Sequence, residues 1–323
     1  MMKNRVLCLS VAALIVMSAA VCAAQSAACD RNCLIGFSDR YLAAMVKHDP
    51  AALPLAPKVK YTENTAAIPV GDGLWVGASE APTNYKIYAA DPVSGQVALM
   101  CVMKEFDKPV MLVLRLKVVN GQITEIEHEI NRQTQGPISS VSPIHRNLNT
   151  PRAGFQETVP PSERVSRQEM LRIANSYFDA IEQTNGKVAP FAGDCVRHEN
   201  GQQTTTWKEP DPLADAATNA ITALGCAAQI DSGELAYITR IWPRRLIVID
   251  EEKGLVFGFP MFQHRAIVRS VKITGVPGVQ SRPKEFAPFD NFSGEVFKIR
   301  AGQIHEIEAM GTMMPLGAAS GWE

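Results

Sequence analysis

The chain has 323 residues, of which 46% are hydrophobic and 20% are charged. This balance is typical of globular proteins and excludes a disordered chain, and the length suits two domains of ordinary size. Lys and Arg number 32 against 33 Asp and Glu, so the net charge is −1. Because no cationic surplus is present for binding phosphates, we expect no nucleic-acid partner.

The N-terminus has the pattern of a secretory signal peptide. Lys3 and Arg5 supply a charged start, residues 6–21 form an apolar run, and small residues follow up to residue 24. The run is shorter than most membrane-spanning helices, which predicts a signal peptide over residues 1–24 and export to the periplasm or the medium. An uncleaved anchor is the alternative. After cleavage we expect no membrane contact.

The first half of the mature chain has the pattern of an α+β domain over residues 25–131. Apolar residues at helical spacing over residues 34–48 predict a helix, and Asp49-Pro50 opens a short second one. Strands are predicted at residues 58–64, 85–90, 97–105, 110–119 and 122–130. The last two form a hairpin with Asn120-Gly121 at its tip.

A second domain is predicted over residues 166–323. Residues 132–165 are rich in Pro, Ser, Asn and Thr, and we interpret them as a linker. A capping-box pattern at residues 166–169 then opens the next helix. The second half also carries an insertion with a helix predicted at residues 211–224, and a long strand is predicted after it at residues 237–250.

The two halves repeat one another. Tyr61-Thr62-Glu63-Asn64 is similar to Arg197-His198-Glu199-Asn200, and Tyr41 and Tyr177 precede these stretches by the same number of residues. The hairpin segment at residues 121–127 likewise returns at residues 302–308. The constant offset of 136 residues between the tyrosines and the paired stretches (177 − 41 and 199 − 63) indicates an internal duplication.

This order of elements resembles the nuclear transport factor 2-like superfamily, which includes the SnoaL-like cyclases and ketosteroid isomerase. The resemblance implies two tandem cone-shaped domains, each a strongly curved antiparallel sheet closed by N-terminal helices around a pocket. The chain is also similar to a bacterial and fungal family of tandem domains of unknown function, and the matching pieces are residues 61–64, 71–75, 91–97, 173–177, 199–201, 250–256 and 317–322. The resemblance is specific for architecture and weak for chemistry, because the superfamily contains both enzymes and binding proteins.

Glu63 and Glu199 occupy equivalent places in the two copies. Residues two apart on a strand share a face, so Glu63 lies with Tyr61 and Glu199 lies with Arg197, and we expect both faces to point into the pockets. An apolar pocket raises the pKa of a carboxyl group and makes it a useful acid or base near neutral pH. We predict that Glu199 is the catalytic base. The alternative is that Glu199 pairs with Arg197 and only fixes the strand.

The second copy carries more polar groups than the first. We predict that His264 returns the proton and that Arg245 or Asn200 holds developing negative charge. The residues expected to bind substrate are Asn200, Arg197, Tyr177, Tyr237, Trp242, Glu63, Tyr61 and Trp75. Pairing of Arg245 with nearby acidic residues, and packing of the tryptophans in the core, are the alternatives.

Five cysteines remain after signal cleavage, and export permits disulfides. We predict the pairs Cys29–Cys33 and Cys195–Cys226, with Cys101 left as a buried free thiol.

The sequence contains no motif for a phosphate loop, a dinucleotide, a serine nucleophile or a common metal site. We therefore expect no cofactor and no metal, with a site of His198, Glu199 and His264 as the alternative. The predicted function is an exported, cofactor-independent enzyme that performs elimination, dehydration, isomerisation or cyclisation on a small organic substrate in the second pocket. A secreted binding protein without catalysis is the alternative, and the first copy is the one expected to have lost its pocket if only one works. A homo-oligomer is compatible with the sequence.

Overall fold

The computed structural model describes residues 29–132, 148–212 and 214–323. The predicted signal peptide lies outside these residues, and so does part of the predicted linker. The described chain forms two α+β units, each built on its own curled seven-stranded sheet.

The first domain opens with helix α1, Arg31–Val46, whose N-terminus is capped by Asp30 accepting a hydrogen bond from the Cys33 N–H at 2.8 Å. Its apolar side chains, among them Leu34, Tyr41 and Met45, pack on the inner face of the sheet. A 3-10 turn at Pro50–Ala52 leads into the strands and one short helix: β1 Leu55–Glu63, β2 Ala66–Ala67, α2 Leu74–Gly77, β3 Ala78–Glu80, β4 Lys86–Asp91, β5 Gln96–Glu105, β6 Lys108–Val119 and β7 Gln122–Asn131.

The second domain repeats this plan after a short helix α3, Ala153–Gln156, and a 3-10 turn at Pro161–Glu163. Ser166 caps helix α4, Arg167–Gln183, through the Glu169 N–H, as the capping-box pattern predicts. A 3-10 turn at Gly186–Val188 follows. The remaining elements are β8 Phe191–Glu199, β9 Gln202–Gln203, α5 Ala216–Thr222, α6 Cys226–Asp231, β10 Leu246–Asp250, β11 Leu255–Gly258, β12 Met261–His264, β13 Ser270–Lys272, β14 Ser281–Pro283, β15 Phe289–Arg300 and β16 Gln303–Pro315.

The two sheets share one strand order over most of their width, except that β11 and β12 together take the place of β5 and that β3 has no counterpart strand. The first has the order β2-β1-β7-β6-β5, with β3 and β4 both on the far side of β5, and the second has the order β9-β8-β16-β15 followed by β11 and β10, with β12 also on β15. The expectation of purely antiparallel sheets is wrong, because β1 runs parallel to β7 and β8 runs parallel to β16. These strands are far apart in sequence, so no tight turn forces them to be antiparallel.

Two predicted elements of the insertion also differ. The helix predicted from residue 211 begins at Ala216, because Asp215 is the residue whose carboxylate accepts the cap hydrogen bond from the Thr218 N–H at 2.6 Å. The strand predicted over residues 237–250 begins only at Leu246. Pro243 has no N–H for a strand ladder, and Arg245 has a φ of +25°, which breaks the extended backbone.

The outer faces of the two sheets pack against each other and form a core shared by both domains. Its buried side chains are Tyr85, Ile87, Ala89, Ala98, Met100, Met111 and Val113 from the first domain and Val248, Leu255, Phe257, Phe259, Met261, Phe292, Val296 and Met310 from the second. Each large apolar side chain in such a place contributes roughly 1.5–3 kcal/mol before entropy is subtracted. The domains are therefore held by a hydrophobic interface as well as by the linker.

Two aspartates extend this interface by a reciprocal exchange. Asp91 of the first domain accepts hydrogen bonds from the Ile249 N–H at 3.2 Å and from the Arg167 guanidinium. Asp250 of the second domain accepts from the Ala90 N–H at 3.1 Å and from the Arg31 guanidinium at 2.9 Å. The two domains thus contact each other as the subunits of a two-fold dimer do, with the same contact made once in each direction.

Candidate functional site

A partly open cavity of about 110 Å3, with Glu199 at its mouth, lies on the inner face of the second sheet. Strands β15 and β16 form its floor, the end of β8 forms one side, and the insertion covers it. The lining residues are Ile181, Arg197, Glu199, Asn200, Leu235, Tyr237, Ile238, Phe262, His264, Asn291, Ser293, Glu295, Ala309 and Gly311. The small side chains at positions 293, 309 and 311 leave the space that a larger residue on the sheet would fill.

Glu295, near the middle of β15, is the most deeply buried carboxyl group of the cavity. Its residue is 1% exposed, and the oxygen Oε2 has no hydrogen-bond partner. Burial raises the pKa of Glu295 to about 8, although the nearby Arg197 lowers it and Glu199 raises it further. The group is therefore protonated at neutral pH and has an O–H to donate.

Arg197 carries the positive charge beside Glu295. Its Nη1 donates to the Tyr177 hydroxyl at 3.1 Å and to Glu199 Oε1 at 2.5 Å, and its Nη2 donates to Gln229 Oε1 at 3.2 Å. Burial works to lower the pKa of Arg197, but Glu199 and Tyr177 raise it above its ordinary value. Burial also raises the pKa of Tyr177, so the guanidinium stays charged and the phenol stays neutral.

His264 ends strand β12 and supplies the third titratable group of the cavity. Its Nδ1 lies 3.0 Å from the Phe262 carbonyl oxygen. Because a carbonyl only accepts, Nδ1 must carry the proton, which leaves the lone pair on Nε2. The ring stacks on Phe289 with centroids 4.2 Å apart, and Tyr237 lies beside it at 5.5 Å. Burial lowers the pKa of His264, so the ring is a neutral base at neutral pH.

Glu199 lines the same cavity, but the expectation that it is kept from water is wrong. Its side chain is 47% exposed and forms an ion pair with Arg197. Glu199 is the last residue of β8, so protein covers only one side of it. The alternative assignment, in which Glu199 pairs with Arg197, describes what it does in this structure.

Arg245 and Trp242 lie outside the cavity, contrary to their predicted roles. Arg245 forms a bidentate ion pair with Glu127 of the first domain, at 2.5 and 2.9 Å. The positive φ of Arg245 changes the direction of the chain just before β10 and turns this side chain toward the domain interface. Trp242 is 58% exposed and lines an open groove beside Arg244.

Asn200 lines the cavity, and its side-chain oxygen binds the backbone of β16. Its Oδ1 accepts a hydrogen bond from the Gly311 N–H at 2.8 Å. Asn64 makes the same contact in the first domain, with the Ile130 N–H at 2.7 Å. Both asparagines have positive φ, 43° and 47°. Asn200 therefore joins the end of β8 to β16, and its part in holding negative charge stays a prediction.

The corresponding interior of the first domain is filled by a chain of hydrogen bonds. Trp75 Nε1–H donates to the Tyr41 oxygen at 2.9 Å, and the Tyr41 hydroxyl donates to His128 Nε2 at 2.9 Å. His128 Nδ1–H donates to the Tyr61 oxygen at 3.1 Å, and the Tyr61 hydroxyl donates to Glu63 at 3.2 Å. Within the described residues these five side chains hydrogen-bond one another, and Tyr61 and Trp75 are 3% and 1% exposed, so they form a packed network in place of the pocket wall that was predicted.

Glu63 has more polar contacts than Glu199. Its Oε2 accepts from the Leu74 N–H at 2.7 Å and its Oε1 lies 3.2 Å from Arg132. Burial alone would raise the pKa of Glu63, but His128, the Leu74 N–H and Arg132 together lower it to about 2. The carboxylate is thus charged and occupied at neutral pH, which makes it a structural group.

Both predicted disulfides are present, and Cys101 is a buried free thiol. Cys195–Cys226 connects β8 to helix α6 of the insertion, and Gln229 of the same helix binds Arg197. The disulfide therefore holds one wall of the cavity against the sheet.

Sequence reasoning missed Glu295. A signal for it exists, because the strand that corresponds to β15 in the first half is β6. On its inner face β6 carries Val110, Leu112 and Leu114, whereas β15 carries Asn291, Ser293 and Glu295. Three polar residues in place of three apolar ones on a buried strand face indicate a site.

Comparison with known proteins adds one finding. A family model described as a domain of unknown function, DUF8021, matches residues 163–311, so the chain is similar to this family over its second domain. The match includes helix α4 and every residue that lines the cavity. No curated protein matches the chain. Within the described residues, no helix is both long and apolar enough to span a bilayer, and no three His, Cys, Asp or Glu side chains come together as a metal site requires.

Proposed function

We propose that the protein is an exported enzyme that transfers protons on a small organic molecule in the second-domain cavity. The single observation that carries this proposal is the presence in one cavity of a carboxyl group with a raised pKa, Glu295, and an imidazole with a lowered pKa, His264. Pairs of groups whose pKa values are pushed apart are characteristic of general acid–base sites.

The roles follow from the protonation states. His264 Nε2 accepts a proton from an activated carbon of the substrate, and the Glu295 O–H donates to the atom on which negative charge develops. Elimination, dehydration, isomerisation and cyclisation all need these two transfers. His264 thereby replaces Glu199 as the base, because Glu199 is half exposed and paired with Arg197.

We also propose that each domain is a cone-shaped nuclear transport factor 2-like unit and that the chain is secreted. In support of the first, a long helix, α1 or α4, packs on the inner face of each curled sheet. In support of the second, the two disulfides are of a kind that persists in oxidising compartments.

An untargeted experiment tests the enzyme proposal. The mature protein is incubated in D2O with an extract of its host's growth medium, and mass spectrometry follows compounds that disappear or gain deuterium. We expect Glu295→Gln and His264→Asn each to slow the change at least about a hundredfold, and Glu199→Gln to stay within about tenfold of wild type. Full turnover in Glu295→Gln would contradict the proposal, and a compound retained unchanged by the wild type would indicate binding without catalysis.

A further inference from the structure

Arg197 is a buried cation whose charged partner is free to move away. The residue is 7% exposed, and two of its contacts, the Tyr177 hydroxyl and the Gln229 side chain, are neutral and buried. Its only ion pair among the described residues is with Glu199, through Nη1 alone. A single N–H contact does not use the planar, two-pronged geometry in which arginine binds a carboxylate best.

Glu199 can leave this ion pair at low cost. Its side chain is already 47% exposed, so water can hydrate the carboxylate once it turns outward. It stands at the last position of β8, just before Asn200 and Gly201, whose φ angles of 47° and 80° take the chain out of the strand. By contrast, Arg197 is fixed in place by Tyr177, Gln229 and the sheet. One partner of the pair is therefore rigid and the other is exchangeable.

We propose that the second-domain cavity accepts small carboxylic acids, and that the carboxylate of the ligand displaces Glu199 from Arg197. The proposal rests on the proposed function only in that it concerns the same cavity. The displaced Glu199 turns into solvent at the mouth, and the rest of the ligand lies toward Glu295 and His264.

Charge and volume both favour this class of ligand. With Glu295 protonated and His264 neutral, Arg197 and Glu199 are the charged groups that line the cavity. Exchange of Glu199 for a ligand carboxylate keeps the charge next to Arg197 balanced. A cavity of about 150 Å3 accommodates benzene, so about 110 Å3 holds roughly four or five non-hydrogen atoms, as in acetate or propionate, with longer chains extending through the mouth.

The test compares propionate with propionamide, which has the same shape and no charge, by calorimetric titration of the mature protein at pH 7. We expect propionate to bind at least about tenfold more tightly than propionamide. Glu199→Gln removes the internal competitor and should strengthen propionate binding about fivefold, whereas Arg197→Lys should weaken it at least about tenfold. Glu169→Gln is the matched control, because Glu169 forms an ion pair with Arg172 on the exposed face of α4, and it should change nothing.

Several results would overturn the proposal. These are equal affinity for the two compounds, no binding of propionate to either wild type or Glu199→Gln, and weaker or unchanged binding in Glu199→Gln. If Arg197→Lys does not fold, the Glu199→Gln variant and the comparison of propionate with propionamide still test the proposal. Glu295→Gln keeps a neutral group beside Arg197, so it should retain propionate binding while it loses turnover. Loss of turnover and loss of carboxylate binding are thus separate outcomes.

Discussion

The two domains share a strand order and differ in what their sheets hold. In the first, a row across three strands contains Glu63, His128 and Leu114, and in the second the same row contains Glu199, Ala309 and Glu295. His128 fills the first interior and binds two tyrosines, whereas Ala309 leaves a space into which Glu295 projects. The cavity therefore arises because a few side chains in the second domain are smaller than their counterparts in the first, and not because the topology differs.

The next row shows the same contrast. Leu112 pairs with Ile130 in the first domain, and Ser293 pairs with Gly311 in the second. The first domain is thus a packed body that supports the second through the shared core and the exchanged aspartates. The second gives up apolar packing in exchange for a polar cavity, an arrangement expected where function and stability compete.

The largest effect is expected from opening the first domain. His128→Ala removes the imidazole that joins Tyr41 to Tyr61 and should lower the free energy of unfolding by about 5 kcal/mol, because it leaves a void, removes the acceptor of the buried Tyr41 O–H and removes the donor to the Tyr61 oxygen. Urea unfolding measures the loss, and added imidazole should restore part of it. A loss below about 1 kcal/mol would mean that the network is not what fills this interior.

Much of this contrast could be predicted from the sequence. The duplication follows from the constant offset, and the shared face of Arg197 and Glu199 follows from strand alternation. Both disulfides are present as predicted, and Tyr237 and His264 line the same cavity as Arg197 and Glu199. Glu295 was missed because a lone Glu on a strand is usually solvated, and only comparison with Leu114 marks its position as interior. Arg245 could not be assigned to a face, because one positive φ reverses the alternation that the prediction relies on.

The domain interface could not be predicted from the sequence, for a different reason. Asp91 and Asp250 belong to equivalent turns, and the repeat shows that they match. Each aspartate binds a helix of the other domain, and this contact depends on how the two sheets pack. The apolar residues Ile87, Met100 and Phe257 on the outer faces indicate that these faces are buried, but they do not show which surface covers them.

The two disulfides offer a second comparison. Cys29–Cys33 closes a separation of 4 residues and Cys195–Cys226 one of 31. In the chain-entropy model, replacement by Ala should cost about 2 kcal/mol for the first pair and about 4 kcal/mol for the second. The second replacement should also weaken propionate binding, because α6 holds Gln229 against Arg197. Equal losses in urea unfolding, with binding intact in both, would contradict the assigned role of Cys195–Cys226.

Filling the second domain should make it resemble the first. Ala309→His introduces the side chain that the first domain has at the same place, and it should reduce propionate binding at least about a hundredfold, or about 2.7 kcal/mol, because no space remains. Calorimetric titration measures the loss, and Ala309→Gly, which leaves the space open, is the control. Undiminished binding in Ala309→His would show that propionate occupies another site.

A smaller effect is expected in the dependence of stability on pH. Between pH 4.5 and about 8 the unfolded chain ionises residue 295 while the folded chain keeps it protonated. The folded state then holds one more proton, so this group makes stability fall as pH rises through that window. Glu295→Gln removes the effect and should gain about 1.6 kcal/mol over wild type at pH 6 relative to pH 4.5, as measured by urea unfolding. A constant difference between the two proteins would contradict it.

The second cavity is expected to keep the Glu295 carboxyl group protonated at neutral pH, whereas the equivalent residue of the first domain is Leu114. Carbon-13 NMR of selectively labelled glutamate, with Glu295→Gln used to assign the resonance, follows this carboxyl directly as pH is changed. A midpoint near 8 is the predicted result. Titration of Glu295 near its ordinary value of 4.5 would contradict the account.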